Sequence, residues 1–379
     1  MFAAFSINAK KIENLYQIDI AIDQQSNQAR RIASLEGLKK VLVRRSGSSE
    51  ILNTPEASNG YKKVTSYLQK FEYSNNPSDE SQYLITLYFE PRLIDDLIKR
   101  ANKPLWDFNR PVTIFWIAQE SQGEDYSIDR RIITENDKEQ DLTNLIKENS
   151  ARRGVPVILP LMDLEDELLV NKSDVWGRFP SSILLATERY SADAVIIGKT
   201  YFRGSEWFGQ FSYLNENNKQ DFDIQADKIE DLYATLVDNL AEILCNKYCI
   251  TNTQSEGLEL LIAIENITNF KTYKKVESYL TELSVVHSLQ VERTHQDVIT
   301  FKVGLLSDVN AVRESLSLNH QLKAIEDELE LSTITIPEEK QLNDDDFSLP
   351  QHTSSLVEDT EKLIETDNKL QSIYYRWIH

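Results

Sequence analysis

The stretch 229–244 constrains this chain more than any other. Ile229, Leu232, Leu236, Leu240, Ile243 and Leu244 recur at three- and four-residue spacing. That puts them on one stripe of an α-helix, which needs an apolar surface to lie on. The preceding residues supply one. Residues 194–198 read as a buried strand running on to Phe202, Gly204-Ser205 turns the chain into a second strand at 207–213, and a third follows near 222–224. Upstream lie a helix from Leu142 to Arg153 capped by Gly154, a short buried strand at 155–160 and a helix over 181–190. Together they predict a middle α/β module, 141–250.

A similar module is expected on each side. Residues 10–120 read as a strand at 15–22, then a helix with Ala29, Ile32, Leu35, Leu38 and Leu42 on one face, stopped by Ser46-Gly47. A short helix at 61–71 and two strong strands at 83–89 and 111–118 complete that module, and the polar stretch 121–140 reads as a loop. Residues 256–336 follow the order strand, helix, strand, strand, helix, strand, which is the ferredoxin-like βαββαβ arrangement. The fold class is therefore α/β (α+β), built of consecutive small mixed-sheet modules. From 337 to 379 the composition turns acidic and poor in apolar residues, predicting a disordered tail with an aromatic end. Tyr374, Tyr375 and Trp377 at that end either dock back on their own body or add to a partner's sheet edge.

Charge narrows the function classes. With 61 acidic against 41 basic residues the formal charge is −20, which disfavours nucleic acid as a partner. The pairs Arg30-Arg31, Arg44-Arg45, Arg130-Arg131 and Arg152-Arg153 do not extend into a basic cluster. No apolar run approaches the eighteen or so residues of a transmembrane helix. Residues 1–9 are apolar and uncharged and end in Ala9 before Lys10-Lys11, which reads as the remnant of a secretory signal whose charged opening is missing. Export to the periplasm is the expectation.

No glycine-rich phosphate loop, nucleophile elbow or zinc-binding helix occurs, so no cofactor or metal is expected. The densest chemistry is the run Asp163, Glu165, Asp166 and Glu167 just past a predicted strand, with Asp174 and Trp176 nearby. Carboxylates there suit a hard cation or acid–base work, and equally a solvated helix start. Trp176, Trp207 and Phe208, beside glycines, either line a pocket or fill the core between sheet and helix. Cys245 and Cys249 stand four apart at a helix end, where a frayed last turn would permit a disulfide and a regular one would leave two thiols.

Several runs taken in order resemble a family of exported gammaproteobacterial proteins, the domain of unknown function 2066. They include Leu15-Tyr-Gln-Ile, Pro104-Leu-Trp106, Arg153-Gly-Val-Pro156, Leu159-Pro-Leu-Met-Asp-Leu-Glu-Asp166 and Asp174-Val-Trp-Gly177. The resemblance spans roughly 12 to 320 and implies export and no assigned activity. At the level of fold, the middle module is also similar to modules of envelope lipoproteins that activate penicillin-binding proteins or secrete curli. The expected function is a non-enzymatic periplasmic interaction or assembly factor that binds an envelope protein. An enzyme using Asp163, Glu165 and Asp166, and a small-ligand or glycan-binding module, are the alternatives.

Overall fold

The computed structural model describes residues 10–12, 14–76, 79, 81–122, 127–137, 141–215, 218–250, 258–319, 321–325 and 371–378. The expected signal remnant at 1–9 and the acidic stretch 337–370 lie outside the described residues. The chain is a mixed α/β protein with several small sheets, and it divides into two units. The first is Met1–Glu256 with Glu282–Val285 and Leu306–His320; the second is Gly257–Thr281, Val286–Leu305 and Gln321–His379.

The first unit opens with β1 (Lys10–Lys11), β2 (Gln17–Ile22) and α1 (Asn27–Ser46). The Ser26 hydroxyl accepts from the Ala29 amide at 3.1 Å to start α1, and Gly47 at φ +70° ends it. α2 (Pro55–Lys62), β3 (Leu68–Asn75), β4 (Tyr83–Phe89) and α3 (Pro91–Arg100) follow. Strands β2-β4-β3 form an antiparallel sheet, and Ile20, Ile22, Ile85, Leu87 and Phe89 bury against Leu38, Val41 and Leu42 of α1. The helix expected over 61–71 is corrected here. Its last four residues, 68–71, open edge strand β3, because Leu68, Lys70 and Phe71 find backbone partners on β4 that a local pattern does not reveal.

Next come β5 (Asn109–Arg110), β6 (Thr113–Gln122), β7 (Ile128–Ile132), α4 (Asp141–Arg153) and β8 (Val157–Ile158). They lead to α5 (Leu164–Leu169), α6 (Lys172–Gly177), α7 (Pro180–Thr187), β9 (Ala194–Arg203), β10 (Glu206–Asn215), β11 (Asn218–Ala226) and α8 (Ile229–Tyr248). The sheet order is β11-β10-β9-β6-β7, with β8 pairing the start of β6. Two expectations shift. The strand at 111–118 belongs to this sheet, lying parallel to β9, and not to the first module; the stretch read as a loop at 121–140 contains β7.

Both faces of this sheet are apolar near the start of β6. Phe115, Ile117, Ile196, Phe211 and Tyr213 meet α4 and α8, while Ile114, Trp116, Val195 and Ile197 meet α6 and α7. The chain goes from β6 through α4 to β8 on one edge of β6, then through α5–α7 to β9 on the other edge. The helices switch faces between those two steps, so the carboxyl ends of β6 and β9 form a topological switch point, where open α/β sheets hold ligands.

The second unit contains β12 (Glu259–Glu265), most of α9 (Phe270–Glu282), β13 (Val286–His295) and β14 (Val298–Leu305). After α10 (Val309–Ser317), which falls in the first unit, β15 (Leu322–Ala324) and β16 (Gln371–Trp377) complete it. The βαββαβ order is present, but its sheet runs β13-β14-β12-β16-β15. The terminal strand is inserted beside β12, where β15 would otherwise pair. It runs parallel to β12 and antiparallel to β15. Ile373, Tyr375 and Trp377 alternate inward and are buried, and Tyr374 is half-buried. Tyr375 and Trp377 are therefore engaged in their own sheet, so the reading of Tyr374, Tyr375 and Trp377 as a free contact for a partner is corrected.

Candidate functional site

The acidic run resolves into helix-start chemistry. Asp163 is the N-cap of α5, where its Oδ1 accepts from the amides of Glu165 and Asp166, each at 3.2 Å. The same carboxylate takes a two-pronged contact from Arg189 at 2.7 and 2.8 Å. Hydrogen bonds from Arg189 and from those amides hold the Asp163 carboxyl at about 2, below the usual range. Asp166 is wholly buried, and its Oδ2 accepts from the Met162 amide at 2.9 Å and from the Tyr190 hydroxyl. Burial and that hydrogen bond to Asp166 push the Tyr190 hydroxyl upward in pKa. Glu165 is exposed, with an outer contact to Arg189 at 3.5 Å. Asp174 belongs to a separate capping box, its Oδ2 accepting from the Asn171 amide at 3.0 Å while Asn171 caps the amides of Ser173 and Asp174. Asp163, Asp166 and Glu165 converge on Arg189 Nη1, at 2.7, 3.2 and 3.5 Å, so a cation of the chain itself fills their common point, while Asp174 stands apart in its capping box. No group of three or more metal-ligating side chains occurs among the described residues.

Trp176 lies elsewhere, where α6 crosses β6, β7 and β9. Its ring is half-buried, with the Arg130 guanidinium carbon 3.9 Å from its centroid and the Lys199 Nζ at 5.2 Å. Tyr201 approaches it at 6.2 Å and stacks on Phe208 at 5.6 Å, with planes only 13° apart. Strand alternation assembles this face: Lys199 and Tyr201 are two apart on β9, and Gln210 and Phe208 lie opposite them on β10. The result is a polar rung beside an aromatic rung, on the far side of the sheet from α8 and at the carboxyl end of β9. Trp207 sits on the opposite face, against Phe202.

The charges here are almost all paired. Arg130 binds Glu120 at 3.0 Å, Arg178 lies 3.7 Å from Asp221, and Asp223 accepts from the Gln210 amide at 3.3 Å. Lys199 makes no ion pair within 4 Å among the described residues, although Asp223 and Glu120 attract it from farther away. Loss of water, and then the positive charges of Arg178 and Arg130, hold its ammonium below the ordinary lysine range. A separate cleft of about 850 Å³ opens at the other end of β9, between Leu184, Asp193, Asn215, Lys247, Tyr248 and Leu318. Its lysines already have acids, Lys247 with Glu314 and Lys219 with Asp221.

Cys245 and Cys249 are joined in a disulfide. Helix α8 stops at Tyr248 and Cys249 takes an extended backbone, which relaxes the last turn enough for the bridge. Lys199, Tyr201 and Arg178 were missed by the sequence reading, which named Phe208 only with Trp176 and Trp207 as a ring for a pocket or the core, and Arg130 only as part of an isolated basic pair. What it could not show was the register that sets Lys199 and Tyr201 beside Gln210 and Phe208, since register between strands is set by pairing rather than by either strand alone.

The family model named domain of unknown function DUF8605 matches residues 9–107. That segment, about a quarter of the chain, runs from β1 through α3. The match overturns the expected resemblance to the domain of unknown function 2066: the family found is a different one, and it ends before the 159–166 and 174–177 runs on which that expectation leaned. No curated protein matches the chain. No helix among the described residues is long and apolar enough to cross a membrane.

Proposed function

We propose that this protein is a non-enzymatic interaction or assembly factor of the bacterial cell envelope, working in the periplasm, and that the face around Trp176, Lys199, Tyr201 and Phe208 receives its protein partner. The observation that carries this reading is a half-open sheet face with three associated rings and a lysine that makes no ion pair within 4 Å among the described residues, placed at the topological switch point. Tryptophan, tyrosine and arginine are the side chains enriched at binding hot spots, and Trp176, Tyr201 and Arg130 stand together on this face. The carboxylates that would serve an enzyme are committed to helix caps and to Arg189. A bonded cysteine pair suits an oxidising compartment.

The test is affinity recovery from an envelope fraction after in-cell crosslinking, with wild type and a Tyr201→Ala/Phe208→Ala double variant side by side. The expected result is one dominant envelope protein, lost with the variant and rebinding wild type when purified. Equal recovery by both would overturn the assignment of this face. A second reading, a small-ligand or glycan site, draws on the half-exposed Trp176 and Tyr201 rings. It predicts binding of soluble envelope glycans to the purified protein in the absence of any protein partner.

A further inference from the structure

We infer that the partner segment is acidic and extended: a stretch of peptide that sets a Glu or Asp carboxylate on Lys199 and, two residues along, an apolar ring beside Tyr201 and Phe208. This rests on the interaction reading above and adds the chemistry of the partner.

Two observations carry it. The first is the charge tally of the face. Arg130 is held by Glu120 and Arg178 by Asp221, and Asp223 is occupied by Gln210. Lys199 makes no ion pair within 4 Å among the described residues, and the Trp176 ring is its near neighbour. Asp223 and Glu120 attract it only from farther away, and the nearby charges acting on it most strongly are those of Arg178 and Arg130. A carboxylate placed there gains a charge-assisted hydrogen bond in a partly desolvated setting without displacing an existing ion pair. The second is spacing. Lys199 and Tyr201 are same-face neighbours on β9, and Gln210 and Phe208 repeat that spacing on β10. A strand advances roughly 3.3 Å per residue, so the polar and aromatic rungs stand about 7 Å apart. An extended peptide has the same two-residue period, so a carboxylate at one position and a ring two further on fall in step with the rungs. The Gln210 side chain, alongside Lys199, adds a polar contact for the same carboxylate or for peptide backbone.

Single-stranded nucleic acid also stacks on aromatics beside cations. The net charge of −20 opposes it, whereas an acidic peptide needs only the local field around Lys199.

The test uses the full-length protein and fluorescence anisotropy with a labelled Gly/Ser peptide carrying one Glu and a Phe two residues later. Matched peptides carry Gln or Lys in place of the Glu, and a labelled oligothymidylate serves as the nucleic-acid arm. The expected result is binding of the Glu peptide at least about tenfold tighter than the Gln peptide, weakening with added salt. Lys199→Met should lose that preference and Lys199→Arg should keep it, with circular dichroism showing both variants folded. The inference is overturned if wild type binds the Glu and Gln peptides alike, if it binds none of them below about 1 mM, or if the oligothymidylate binds more tightly. The envelope recovery separates this from the broader reading. A partner lost on Tyr201→Ala/Phe208→Ala but kept by Lys199→Met would leave an interaction factor standing and remove its acidic ligand.

Discussion

Arg110 offers the sharpest test of how the first unit is held together. Its guanidinium is wholly buried and donates to the carbonyl oxygens of Asp107 at 2.9 Å, Arg153 and Gly154 at 3.0 Å and Arg44 at 2.8 Å. It also lies 4.1 Å from the Trp106 ring centroid. The Arg44 carbonyl belongs to the last turn of α1, and those of Arg153 and Gly154 end α4, so one cation closes two helix C-termini. Burial, and then the charges of Arg45 and Arg44, push its pKa well down, so the charge is tolerated for these bonds and not for its solvation. Arg110→Met keeps most of the stem volume and removes every donor. Each carbonyl left buried without a partner costs roughly 1–3 kcal/mol, partly offset because an expensive buried charge is gone. A net loss of about 4 kcal/mol is expected, or about 10 °C in melting temperature for a unit of this size. Arg110→Lys should fall between, since an ammonium cannot span the fork of carbonyls. Urea unfolding followed by circular dichroism reads both. A loss below about 1 kcal/mol for Arg110→Met, at unchanged m-value, would refute the idea that this cage organises the unit.

Four further outcomes are expected. Gly47 sits at φ +70°, and an added Cβ would stand 2.3 Å from the Cys245 sulfur; Gly47→Ala should cost about 2 kcal/mol in urea unfolding, with part of it recovered in a Cys245→Ala/Cys249→Ala background. Asp163 has a depressed pKa, so its stabilisation is present above about pH 4 and lost as pH falls through about 2. Asp163→Asn should therefore be less stable than wild type at pH 6, and the difference should close toward pH 2 in a denaturation series. Trp377 is buried in the second unit, and Trp377→Ala should cost about 3–5 kcal/mol there, read as faster hydrogen exchange in β12, β15 and β16. Lys199 has a lowered pKa and must be charged to hold a carboxylate, so affinity for the Glu peptide should fall at a pH below that of an ordinary lysine, while Lys199→Arg gives a flat profile from pH 7 to about 10.

What was legible in the sequence was what neighbouring residues decide among themselves. Helix α8 shows its apolar stripe because every third or fourth side chain faces the same sheet. Strand β9 shows as the apolar run 194–198 and β10 as the stretch that follows the Gly204-Ser205 turn, whereas the sequence does not decide between a frayed last turn that bonds Cys245 to Cys249 and two thiols. The errors fall where a distant partner decides. Strand β6 reads as a continuation of the first module until its pairing with β9, some eighty residues later, places it in the middle sheet. The acidic run reads as a cluster because the sequence does not show that Arg189 and Tyr190 reach back to Asp163 and Asp166. The C-terminal aromatics carried a period-two pattern, which gives an inward face to a strand but does not say which sheet receives it.

The basic pairs show the same limit, and they bear on the proposed site. Arg44-Arg45 and Arg152-Arg153 read as scattered surface charge in an acidic chain. In the fold, Arg44 donates to the carbonyls of Asn14 and Gln17, Arg45 binds Asp95, Arg153 donates to the Gly47 carbonyl and Arg152 binds Asp238. These cations close helix ends and loops instead of facing solvent as a basic patch. The acidity is also unevenly spread, since residues 326–370 carry fourteen acidic against three basic residues. The rest of the chain is thus far closer to neutral than the total implies, and a small positive region on it is not overwhelmed by the mean field at physiological ionic strength, where screening acts over about 8 Å. Lys199, half-buried beside Trp176, makes no ion pair within 4 Å among the described residues, and only the more distant Asp223 and Glu120 attract it. The inferred acidic segment would supply the close carboxylate that this lysine lacks.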